Sequence, residues 1–177
     1  MILERSSRLQ APDAFALDTS SLEFRSLKAN YRQQLQEAKI AAEMLVHMYD
    51  EADFSMFAID LIGIENQAPD IQISRLGDQG EVLDQEIIEI VSFTGYSERE
   101  GFLAFLGRTK LRPCFAYPSE TIILLNVEVS LKNPESAARR ISEVLQNSEN
   151  VRHQMFGLFR NCTKPFVAKL TPEYIIY

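Results

Sequence analysis

The residues best suited to acid–base, metal or nucleophilic chemistry are few and scattered: His47, Cys114, His153 and Cys162. His47 stands near Asp50, Glu51 and Asp53. On an unbroken helix, His47 and Glu51 would share a face at i and i+4 and could hold a divalent ion with Asp50. The plainer reading places His47 in the last turn of a helix, where its cationic form meets the negative end of the dipole. The acids that follow are then solvated loop residues, and no metal ligand or cofactor is assigned. A catalytic cysteine would need a base such as His153 within reach. Cys114, between Pro113 and Phe115, reads instead as a small buried apolar residue.

Phosphate-binding loops fare no better. Gly101 and Gly107 are six apart where a Walker A motif needs five, and Arg108-Thr109 follows in place of Lys-Ser/Thr. Neither G-x-G-x-x-G nor G-x-S-x-G occurs, and glycine is scarce, with 7 in 177 residues. A nuclease-like carboxylate set also fails, because Glu128-Val129-Ser130 supplies no lysine to accompany Asp70. Glu86 and Glu89, three apart on an expected strand, point to opposite faces. No catalytic residue is assigned, and a small hydrolase is the last of the functional alternatives.

Charge is the stronger signal. The chain carries a net charge of −7, which opposes non-specific attraction to nucleic acid and anionic lipid. Residues 1–100 hold 19 acids and 8 bases, whereas residues 101–177 hold 6 acids and 10 bases. Such asymmetry points to an interaction surface. The expected partner-binding residues are Asp50, Glu51, Asp53, Asp78, Glu81, Asp84, Glu86 and Glu89. The basic end offers a different surface through Arg139, Arg140, Arg152 and Arg160. Lys132, Lys164 and Lys169 are further basic candidates, with Phe156, Phe159 and Phe166 interleaved, a composition that can serve nucleic acid.

These residues need elements to carry them. Residues 1–19 read as an N-terminal arm in which Pro12 breaks any helix, and 20–177 as one α+β domain. Ser20 and Glu23 form a capping-box signature. Phe24, Leu27, Tyr31, Leu35, Ala38, Ala42, Leu45 and Tyr49 then recur at helical spacing, which predicts one helix of about 28 residues. Its length calls for a wide sheet or a partner to cover the stripe. Strands are expected over 54–62, around Ile71 and Ile73, and over 87–93, with Gly77-Asp78-Gln79-Gly80 as a turn and Glu89 facing outward. A helix from Ser97 to Gly107 and an extended segment over 111–117 follow. Thr121 to Leu131 reads as a central strand. Asn133-Pro134-Glu135 marks a helix start. Val151, Met155, Leu158 and Phe159 predict another helix over 150–160, and Phe166–Leu170 and Tyr174–Tyr177 read as short strands.

The expected fold is α+β, a two-layer sandwich of a mainly antiparallel sheet packed by the long N-terminal helix and C-terminal helices. Met1 to Pro12 lacks the apolar core of a signal peptide, and no apolar run approaches the ~20 residues of a membrane span. A cytoplasmic protein with free thiols and no membrane partner is expected. The favoured function is a non-enzymatic protein-interaction or assembly subunit that self-associates or binds a protein partner. It would act through the acidic middle region and the long amphipathic helix. The alternatives are an acidic inhibitor or chaperone of a basic partner, and a nucleic-acid-associated protein using the basic end.

Overall fold

The computed structural model describes residues 7–62, 70–93, 118, 120–148 and 151–177. The expected helix from Ser97 to Gly107, the extended segment over 111–117 and Cys114 lie outside the described residues. Eight strands and five helices occur among those described, so the fold is α+β. The chain divides into two compact units, Met1–Ile88 and Glu89–Tyr177.

In the first unit, β1 (Arg8–Gln10), β2 (Phe57–Leu61), β3 (Ile71–Leu76) and the start of β4 (Val82–Phe93) pair antiparallel in chain order. Register places Leu9, Ile59, Ile73 and Glu86 in one row across the strands. Helix α1 (Ala11–Phe15) contains Pro12, contrary to the expectation that proline breaks any helix here. Proline is tolerated in a first turn because that N–H has no helical acceptor.

The single long helix is replaced by two. Helix α2 (Leu22–Ser26) is capped by Ser21, not Ser20, through a Phe24 N–H to Ser21 Oγ bond of 3.1 Å. Ser20 is occupied instead, donating its hydroxyl to Asp18 Oδ1 at 2.6 Å. The chain turns extended at Leu27, and α3 (Ala29–Met48) then runs 20 residues. Ser26 Oγ donates to the Glu23 carbonyl at 2.7 Å, and Leu27 N–H reaches back only to Phe24 O. Short hydroxyl side chains compete with the helical ladder in this way.

The apolar stripe of α3 buries Leu35, Ala38, Ile40, Ala41, Ala42, Met44 and Leu45. It packs on β2, β3 and α1, so its own unit covers it. Helix α4 (Glu51–Phe54) follows, capped by Asp50.

The second unit takes the end of β4, from Glu89 to Phe93, with β5 (Ile122–Val127), β6 (Met155–Phe159), β7 (Phe166–Thr171) and β8 (Ile175–Ile176). β5 and β6 are parallel, and the helix α5 (Pro134–Gln146) joins them. β6–β7 and β7–β8 are antiparallel. α5 begins as its sequence predicts: Asn133 Oδ1 accepts the Ser136 N–H at 3.1 Å and Pro134 takes the first turn. Its buried face docks on β7 through Ser142 Oγ, which donates to Leu170 O at 2.6 Å. Ala138 and Leu145 join Ile123, Leu125, Val127, Met155, Phe159, Ala168 and Leu170 in one core.

The helix expected over 150–160 is instead β6. All five of its residues are buried, so both faces are covered and the segment is a continuous apolar run without alternation. Gly157 at its centre also disfavours a helix. Among the described residues no helix is long and apolar enough to cross a membrane.

Candidate functional site

The acids named from sequence separate by what they do. Asp50 caps α4, accepting the Asp53 N–H at 2.9 Å. Asp53 is held by Arg75 at 3.0 Å. Glu81 closes the β3–β4 turn: its Oε2 accepts the Gln79 N–H at 3.0 Å and its carboxylate lies over Gly77. A side chain on Gly77 would meet that carboxylate at 2.3 Å, a contact the exposed Glu81 side chain can relieve by swinging aside. Gly80 takes φ +79, a conformation glycine alone adopts freely.

Glu89, expected to face outward, is 2% exposed. In this half of β4, Ile88, Glu89 and Ile90 are all buried, so both faces are covered and alternation loses its meaning.

Glu51, Asp78 and Asp84 remain turned to solvent, and Glu86 is exposed as a residue while its carboxyl is partly withdrawn from water. Three of these lie on the β3–β4 hairpin, beside Val82 at 44% and Leu83 at 62% exposure. The register skips Leu83, with Arg75 opposite Asp84 and Leu76 opposite Val82, so Leu83 stands at an irregularity in the ladder and both apolar side chains stay exposed at the hairpin. Asp84 stands opposite Arg75 on β3. The Glu86 carboxyl is held above its ordinary range, first by loss of water around it and then by the charge of Asp84. Its place in the row of Leu9, Ile59 and Ile73 explains the first effect.

The four arginines named from sequence differ in their partners. Arg139 stacks on the Tyr174 ring with 5.4 Å to its centroid, and Tyr174 Oη donates to Glu135 O at 3.3 Å. Arg160 pairs with Glu128 at 3.7 Å. Arg140 and Arg152 are exposed.

Arg160 also lines an open cleft of about 910 Å³ in the second unit. Its walls are the loop after β5, with Ser130, Leu131 and Lys132, the start of α5, and the loop after β6, from Arg160 to Lys164. Phe166 completes the lining. Sequence reasoning noted Lys132 and Lys164 as basic but did not bring them together. The β–α–β order that opens a crevice beyond the carboxyl ends of parallel neighbours is not legible while 150–160 reads as a helix, because the parallel partner is then missing.

The metal and cysteine alternatives gain no geometry. α3 ends at Met48 and Tyr49 is extended, so His47 and Glu51 lie on different helices. Among the described residues no group of three or more histidines, cysteines and acids is placed to hold a metal. Burial pushes the Cys162 thiol above its ordinary range, which keeps it protonated and poorly nucleophilic. No protein-family model, curated protein or solved structure matches this chain.

Proposed function

We propose that this protein is a non-enzymatic interaction subunit whose β3–β4 hairpin docks a basic segment of a partner protein. The observation that supports it is the outward run Val82–Glu86, in which two apolar side chains sit among Asp84 and Glu86 with Asp78 at the turn. Apolar anchors ringed by like charges supply both burial and selection of a basic partner. The long helix drops out of the interface, because its apolar stripe is spent on its own strands. The same chemistry serves an inhibitor or escort of a basic protein. A two-layer arrangement, with helices forming one layer on a mainly antiparallel sheet, belongs to this proposal as its scaffold.

Affinity capture from the native source tests it, comparing the wild-type chain with Leu83→Ser/Asp84→Lys/Glu86→Lys. The wild type retains a basic polypeptide that elutes as salt rises, and the variant holds it at least ~30-fold more weakly, the effect of losing one hot spot of ~2 kcal/mol. A variant that retains the same partner equally, or a wild-type chain that retains nothing at low salt, refutes the reading.

A further inference from the structure

The cleft of the second unit has no role in hairpin docking, and its chemistry is opposite. Three cations line it: Lys132 from the loop after β5, and Arg160 and Lys164 from the loop after β6. Glu135 is the single acid of the lining. The cleft lies in the part of the chain where bases outnumber acids, 10 to 6 over residues 101–177, and it gathers three of those bases against one acid. Arg160 already shares its charge with Glu128 at 3.7 Å. Lys132 and Lys164 form no ion pair among the described residues, so their ammonium groups carry the attraction.

The walls are fixed in advance. Asn161 Nδ2 donates to the Glu128 carbonyl, tying one loop to the other. The Cys162 thiol donates to Lys164 O at 2.9 Å, with Phe159 O also near its sulfur at 3.4 Å, which supports the bend that presents Lys164. Preformed walls reduce the ordering cost of binding. The start of α5 adds little of its own, because Pro134 has no N–H and Asn133 already takes that of Ser136. Leu131, Pro134 and Phe166 contribute apolar surface beside the charges.

The geometry points to a binding site for a small organic oxyanion, a phosphate ester or similarly charged group on an apolar body, held by Lys132 and Lys164. Charge-assisted hydrogen bonds from the lysines meet the anion, and the body lies against Leu131 and Phe166. The volume suits a small molecule, since ligand pockets run to roughly 300–1,000 Å³.

Isothermal titration with phenyl phosphate and with inorganic phosphate, at constant ionic strength, tests the site on the full chain. Phenyl phosphate binds more tightly than inorganic phosphate, because only the former reaches the apolar wall. Lys132→Gln/Lys164→Gln weakens phenyl phosphate by about tenfold or more, a value discounted for solvent exposure. Arg140→Gln, on α5 outside the lining, leaves binding unchanged. As a second readout in a Cys114→Ser background, phenyl phosphate slows alkylation of Cys162 in the wild-type cleft but not in the lysine variant. Equal binding by the lysine variant, an equal loss in Arg140→Gln, or no binding at millimolar phenyl phosphate overturns the site. None of these results bears on the hairpin.

Discussion

Gly157→Ala is a demanding test of the second unit, because the smallest possible side chain meets the best-packed rings. A Cβ at Gly157 would stand 2.7 Å from Phe159 Cε2, 3.2 Å from Phe159 Cζ and 3.3 Å from Leu170 Cδ1. Ordinary contact begins near 3.4 Å, so the ring must retreat by about 0.7 Å. It has little freedom to do so, being 1% exposed and stacked on Phe166 at 4.8 Å between centroids and 8° between planes. Overpacking of this kind costs about 1–3 kcal/mol. Alanine returns ~0.5–1 kcal/mol by restricting the unfolded chain. The expected net destabilisation is about 0–2.5 kcal/mol, centred near 1, read as a lower urea midpoint by far-UV circular dichroism with the slope unchanged. Phe159→Leu should be destabilising alone yet remove the clash, so Gly157→Ala costs less in that background by ~1 kcal/mol. A Gly157→Ala chain at least as stable as wild type, or the same cost in both backgrounds, refutes the packing argument.

Two titrations follow from the same structure. The folded chain holds Glu86 above its ordinary carboxyl range, so folding favours its protonated form, and that contribution is full below the ordinary pKa and lost as pH rises through the folded value. Glu86→Gln therefore raises the thermal midpoint at pH 7 and the gain vanishes below about pH 4, whereas a gain that persists in acid removes the electrostatic cause. Burial raises the Cys162 thiol, so in a Cys114→Ser background its alkylation climbs only at pH values above those that ionise a free thiol. A rate–pH profile matching free cysteine would show that the thiol is not desolvated.

The legible parts of the fold are those whose cause is local. Asn133, Pro134 and Glu135 specify a helix start by a side-chain acceptor, a preset φ and a favourable charge, and no distant residue alters them. The turn at Gly77–Gly80 is fixed by glycine conformation and by Glu81 reaching back over it. The break at Leu27 was hidden because the apolar stripe continues across it, while Ser26 diverts the backbone with one hydrogen bond. β6 and the end of β4 were misread for a shared reason. Periodicity reports one covered face and one wet face, and neither Met155–Phe159 nor Ile88–Ile90 has a wet face. The cleft was invisible for a topological reason: Lys132 and Lys164 come together only through the parallel pairing of β5 and β6.

That topology also bears on the proposed ligand of the basic end. A long polyanion must lie along an extended cationic surface and meet the acidic remainder of a chain of net charge −7. Two of the four arginines that would form such a surface are otherwise engaged, Arg139 on Tyr174 and Arg160 with Glu128. A small oxyanion inside the cleft faces a different balance. Charges beyond a Debye length of ~8 Å are largely screened at physiological salt, so it responds mainly to Lys132 and Lys164, with Arg160 offset by Glu128 and with Glu135 opposing them from the lining. The two sites proposed here thus act at short range with opposite sign, an acidic hairpin on β3–β4 and a basic cleft beyond β5 and β6.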